Sequence, residues 1–166
     1  MIVWFTEDEA RTLSAAVNRL IPADGDFPGA EPAGAVTYVG HLLDAFAYDP
    51  PHIWAGSTGA DHDGWLELGP AEAMAWRQRV EGWQHAYREG LAELGTDFAR
   101  LDGAEQDDRL AADADFRWLL YRHACEAVYG DPAYGGNRGR LGWQSIAFPG
   151  DPFPRGYTPE EVTGRD

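Results

Sequence analysis

PAEAMAWRQRVEGWQHAYREGLAEL, residues 70–94, decides the fold. Trp76, Val80, Trp83, Tyr87, Leu91 and Leu94 recur at steps of three and four, so they fall on one wide stripe of a helix. Pro70 suits the first helical turn, where its missing N–H costs nothing, and Gly95 suits the stop. A segment this long and this periodic has no use in a sheet.

The rest of the chain agrees when read outward from it. Upstream, Thr6 and Glu9 have the spacing of a reciprocal capping pair, and Leu13, Val17, Leu20 and Ile21 form an apolar face that Pro22 closes. A second helix is predicted over 34–46 with Val36, Val39, Leu43 and Phe46 inward. Residues 47–68 hold Asp49-Pro50-Pro51, Gly56, Gly59 and Gly64 and read as a long surface loop carrying Trp54 and Trp65. Downstream, short helical pieces over 97–101 and 104–114 lead to a long helix over 115–129. Phe116, Leu119, Leu120, His123, Ala127 and Val128 are its predicted inward residues, and Gly130 ends it. The last 36 residues mix glycine, proline and aromatics and carry one short helix over 140–147. Ala and Leu far outnumber the β-branched Val and Ile, and no strand–helix alternation occurs. The expected fold is all-α: a compact bundle of about five to six helices with a long irregular Gly/Pro/aromatic C-terminal arm. Residues 1–150 are expected to form one helical domain, with 151–166 a tail extending the 130–150 arm.

Charge narrows the partners. With 28 acidic residues against 13 basic ones the net charge is −15, and every basic residue is Arg. Such a chain is repelled by nucleic acid and by anionic membranes, so neither is an expected partner. No Arg lies between Arg19 and Arg77, whereas Arg138 and Arg140 sit in the glycine-rich arm. One Cys excludes an internal disulfide. The apolar runs are too short to span a bilayer, and the first residues lack the basic region of a signal, so the expected location is cytoplasmic.

Few side chains announce chemistry. The glycines of 135–142 lack the Lys-Ser/Thr ending of a phosphate loop and have no preceding strand. Glu81 with His85, and His123 with Glu126, have spacings that place each pair on one helix face, and they are the candidate metal ligands. Surface or capped histidines are the simpler reading, because the two spacings differ and no matching inward carboxylates occur on the first two helices. Asp61-His62-Asp63 near His52 is a weaker cluster of the kind that turns produce. Ser14, Ser57, Ser145 and Cys125 lie in no nucleophile elbow. The arm is different: Tyr129, Tyr134, Trp143, Phe148, Phe153 and Tyr157 stand beside Arg138, Arg140 and Arg155. That is the composition of a binding surface, or of an arm wrapped back over its own helices.

Two segments carry a resemblance. Arg19-Leu20-Ile21-Pro22-Ala23-Asp24, with Phe27-Pro28-Gly29-Ala30 and Ala33-Gly34, resembles the opening of the gluconate 2-dehydrogenase subunit 3 family. Tyr129-Gly130-Asp131-Pro132-Ala133-Tyr134-Gly135-Gly136-Asn137-Arg138, then Gly142-Trp143 and Phe148-Pro149-Gly150, resembles its closing motif. The resemblance covers roughly residues 6–150. It implies a non-catalytic small subunit that stabilises or matures a large FAD-dependent oxidoreductase of the glucose–methanol–choline type, with the FAD and the sugar oxidation in that partner. No catalytic residue or cofactor is expected in this chain. The expected partner surface is Tyr134, Gly135, Gly136, Asn137, Arg138, Trp143, Phe148 and Phe153. Family members often begin with a twin-arginine signal and this sequence does not, so export would use a signal on the partner. The competing expectations are an independent metal-dependent oxidase using Glu81, His85, His123 and Glu126, and a small-ligand binding protein using the Trp-rich 54–83 region.

Overall fold

A computed structural model describes residues 4–53 and 65–150. Among them lie six α-helices: α1 (Glu7–Leu20), α2 (Ala35–Leu43), α3 (Pro70–Leu94), α4 (Gly103–Ala112), α5 (Ala114–Tyr129) and α6 (Leu141–Ser145). Trp54, Asp61, His62, Asp63, Phe153, Arg155 and Tyr157 lie outside the described residues.

The helix starts follow from local hydrogen bonding. Thr6 Oγ1 accepts the Glu9 N–H at 3.3 Å while the Thr6 N–H donates to the Glu9 carboxylate at 2.8 Å. Asp102 caps α4 and Asp113 caps α5 in the same manner, each carboxylate accepting two backbone N–H groups. At α3 the cap is Gly69, whose N–H donates to Glu72, and Pro70 opens the first turn.

The core is one cluster drawn from α1 through α5, in which Leu13, Val17, Val39, Leu43, Tyr87, Phe98, Leu120 and Val128 are fully enclosed. α3 and α5 approach closely at Gly90, where a Cβ would run into the Phe116 ring. Deeper in the same interface the Tyr87 hydroxyl lies 3.1 Å from His123 Nδ1. Two bidentate pairs brace the outside: Arg19 of α1 on Asp107 of α4, and Arg109 of α4 on Asp97.

Several elements depart from expectation. The second helix stops at Leu43, and Ala45–Ala47 is a separate 3-10 turn. Phe46 therefore leaves the main core, joins a smaller cluster around Ala45, Ile53 and Val80, and lies under the Arg77 guanidinium at 4.4 Å. Trp76 packs on this smaller cluster, and Trp83 packs on both it and the main core, so the stripe of α3 joins the main core only from Trp83 onward. The 97–101 piece is one 3-10 turn, Phe98–Arg100. Asp113 ends α4 and caps α5 at once, which advances the last long helix to Ala114. The Leu66 N–H donates to the Ile53 carbonyl at 2.7 Å, closing the two described ends of the 47–68 segment on each other.

Two glycines of α3 should respond oppositely to alanine. Gly90→Ala forces a methyl into Phe116 and should cost about 1–3 kcal/mol. Gly82 is exposed with open space around it, so Gly82→Ala should gain up to about 1 kcal/mol from helix propensity. Denaturant unfolding of both variants checks the pair; equal effects would refute the packing assignment.

Candidate functional site

The glycine-rich arm folds back as a clasp. After Gly130, Asp131 caps a 3-10 turn, Pro132–Tyr134, by accepting the Ala133 N–H at 2.9 Å. Gly135 follows at φ 89°, a left-handed conformation that glycine adopts freely, with its Cα against the His41 ring. Gly136 then packs on the backbone of Ala127, where no side chain would fit. Asn137 is fully buried and also left-handed, at φ 43°. Its N–H donates to Ala127 O, its Nδ2 donates to Gly130 O at 2.9 Å, and its Oδ1 accepts the Gly142 N–H at 3.0 Å. Trp143 is buried behind it and donates its indole N–H to Tyr129 O at 2.8 Å, with Phe148 set edge-on against its ring.

This clasp reaches the other quoted segment. The Arg138 N–H donates to the Ala33 carbonyl at 2.8 Å, and Gly34 at φ 99° lies against Gly135 and Gly136. The segments 33–34 and 135–138 thus form one contact. Three residues expected on a partner surface are consequently interior: Gly136, Asn137 and Trp143 are spent on α5 and on the clasp itself. Arg138 and Phe148 are exposed, while Tyr134 and Gly135 are half-buried. The backbone N–H groups of 137, 138 and 142 are all bonded within the chain, so this loop does not present them to a phosphate.

The candidate metal ligands are not brought together. Glu81 and His85 are exposed, and His85 Nε2 lies 3.0 Å from Glu89. His123 is enclosed in the α3–α5 interface, with its ring edge-to-face against Trp83. Glu126 instead accepts the Tyr38 hydroxyl at 3.2 Å and stands 3.9 Å from Arg122. Among the described residues no three His, Cys, Asp or Glu side chains are grouped to hold a metal.

What the fold does build is a cavity of about 880 Å³ beside the clasp. Tyr38 and His41 come from α2, Trp76, Arg79 and Trp83 from α3, Arg122 and Glu126 from α5, and Tyr134 and Gly135 from the clasp. Tyr48, His52 and Trp65 complete it as a stacked column, with ring centroids 3.7 and 4.1 Å apart and nearly parallel planes. Trp65 meets Tyr134 edge-on. Burial lifts the Glu126 carboxyl above its ordinary value, opposed by the Tyr38 hydrogen bond and by Arg122. Burial, aided by His41, lowers His52. The sequence flags Trp65, Trp76 and Trp83, but the contribution of Tyr38, His41, Arg122 and Glu126 was missed. Its signal is faint: pairs three and four apart on two helices that only the fold brings face to face.

A family model for gluconate 2-dehydrogenase subunit 3 matches residues 7–150. The chain belongs to this family. The match takes in both halves of the clasp, the six helices and the described walls of the cavity. No curated protein and no solved structure matches this gluconate 2-dehydrogenase subunit 3 family member. Among the described residues no helix is long and apolar enough to cross a membrane.

Two fully buried polar side chains, His123 and Asn137, generate predictions for its stability. The Tyr87 hydroxyl and His123 Nδ1 share one hydrogen bond, and His123 Nε2 is buried with no hydrogen-bond partner. Burial, with a smaller push from Arg122, lowers His123 from 6.5 to about 4. The unfolded chain therefore binds a proton below pH 6.5 that the folded chain refuses until about pH 4, and stability falls as pH drops through that window. The loss should reach on the order of 3 kcal/mol. His123→Gln keeps an acceptor for Tyr87 without a titrating group, so the difference in unfolding free energy between the two chains should grow with pH across 4–6.5; a constant difference would refute the assignment. Asn137→Ala strips the clasp of both side-chain bonds and should cost about 2–4 kcal/mol, read as a lowered Tm.

Proposed function

We propose that this chain is the non-catalytic small subunit of a hetero-oligomer, bound to a large FAD-dependent oxidoreductase of the glucose–methanol–choline type that acts on the CH–OH group of sugars, glycosides or sugar acids. The observation that carries this reading is the match over residues 7–150 to a family named as a dehydrogenase subunit. FAD belongs to the large subunit in this reading. The complex works in the cytoplasm, or is exported on a signal that the large subunit carries.

The surface best suited to such a partner is on α5. Trp118, Tyr121 and Tyr129 are 60%, 41% and 41% exposed, although large aromatics are usually covered. They fall at helical steps on one face, with Trp118 and Tyr121 rings 5.8 Å apart. The stripe leads toward the clasp, because Tyr129 O holds Trp143 and Trp143 supports the exposed Phe148. Arg138 and Arg140 stand exposed in the same arm. Aromatics and Arg are the residues that dominate interface energetics. Of the docking surface expected from the sequence, Arg138 and Phe148 are exposed, Tyr134 and Gly135 are half-buried and Phe153 lies outside the described residues; α5 adds Trp118, Tyr121 and Tyr129 to it. A subunit that binds only the folded, flavin-loaded form of its partner stabilises that form by mass action.

Co-expression with the large subunit followed by size exclusion tests the proposal. The two chains should co-elute, and Trp118→Glu combined with Tyr121→Glu should abolish co-elution while shifting the small chain's own stability by no more than about 0.5 kcal/mol. Separate elution of two stable proteins, with full FAD occupancy in the large one alone, would sink the idea.

A further inference from the structure

The cavity between α2, α3, α5 and the clasp has a chemistry that differs from that of the molecule around it. The chain carries a net charge of −15. Within the cavity wall the balance reverses: the guanidiniums of Arg79 and Arg122 face a single carboxylate, Glu126. That carboxylate is already engaged by the Tyr38 hydroxyl. Arg79 forms no ion pair among the described residues; its guanidinium lies over the Trp76 ring at 4.4 Å. Arg122 comes no closer than 3.9 Å to Glu126. Two guanidiniums thus keep donors for an outside acceptor, held by helices whose positions the core fixes.

The remaining wall is aromatic. The column of Tyr48, His52 and Trp65, whose rings cover one another's inner faces, lines the cavity on one side, and the crossed pair Trp76 and Trp83, 6.4 Å apart at 65°, lines another. The volume of about 880 Å³ lies in the range that holds small organic ligands of drug-like size. Aromatic walls reward a ring by edge-to-face and C–H contact, and a guanidinium rewards a planar oxyanion with paired hydrogen bonds. Gly135 at the rim leaves room for the His41 ring, which any side chain at 135 would displace.

We infer that this cavity is a binding site for a small ring-bearing carboxylate, with Arg79 and Arg122 holding the carboxylate and the aromatic walls holding the ring. The inference is independent of the subunit reading, since the site lies wholly within this chain. Two sources share the chemistry: a cyclic sugar acid, whose C–H groups pack on aromatics, and an aromatic acid, whose ring meets them edge to face.

Isothermal titration of the purified full chain decides it, with glucuronate and 4-hydroxybenzoate as probes and glucose and phenol as their uncharged counterparts. At least one acid should bind saturably below about 10 mM, and its counterpart at least about tenfold more weakly. Arg79→Met with Arg122→Met keeps the apolar stems and removes the charges, and should weaken the acid by at least about tenfold. Both side chains are exposed, so the double variant should unfold at the same temperature as the parent. Which acid binds identifies the source. Absence of saturable binding by either acid, equal binding of acid and counterpart, or parent-like affinity in the double variant would each overturn the inference. Failure to co-elute with a large subunit would leave it untouched.

Discussion

One amide side chain joins the parts of this molecule. Asn137 sits in a left-handed turn, wholly enclosed, and spends its Nδ2 and Oδ1 on two backbone groups that have no helical partners, Gly130 O and Gly142 N. A carboxylate cannot donate and an aliphatic side chain can do neither, so the position demands the paired donor and acceptor of an amide. It also demands tolerance of positive φ, which Asn has more than other residues with a side chain. Around it, Gly136 and Gly142 let the backbone settle directly onto α5. The clasp then positions Tyr134 and Gly135 at the cavity rim and Trp143 beneath Phe148. The clasp's share of both surfaces, Tyr134 and Gly135 in one and Phe148 in the other, thus rests on the same buried hydrogen bonds.

The parts of the fold that were legible in the sequence were those with a local physical cause. The stripe from Val80 to Leu94 is written in a 3.6-residue period, and the starts of α1 and α3 are written in Thr6, Glu9 and Pro70. What a period cannot state is what covers a face. Trp76 and Trp83 fall on the stripe of α3, yet Trp76 packs on a second small cluster, Trp83 is shared between the two clusters, and both line a cavity. The end of α2 was misplaced because Phe46 continues the apolar spacing, although Ala45–Ala47 tightens into a 3-10 turn. In the arm, composition alone could not separate two uses of the same aromatics. Trp143 is sheltered and anchored to Tyr129 O, while Phe148 is exposed on top of it. The metal candidates failed for a similar reason: helical spacing put His123 beside Glu126, but burial against Tyr87 and Trp83 gave the imidazole a structural partner instead.

Charge, too, acquires a different meaning with position. The surplus of carboxylates gives a net charge of −15, which repels polyanions. The guanidiniums are used sparingly and in distinct ways. Arg19 and Arg109 bind carboxylates across helices, Arg77 and Arg88 lie on aromatic rings, and Arg79 and Arg122 edge a cavity. Arginine suits all three tasks because its planar, weakly hydrated cation can pair with an anion and stack on a ring at once.

The contact between Ala33 and Arg138 has a consequence for the order in which the chain assembles. It joins residues about a hundred positions apart, so its loop-closure entropy is met only after almost all of the polypeptide exists. The packing of α1 and α2 on α5 spans a similar sequence distance, so once those helices are together only a short loop remains for the clasp to close. The bond from Arg138 to Ala33 is therefore one the bundle makes inexpensive, and residues 136–142 fasten a junction that the helices have already brought together.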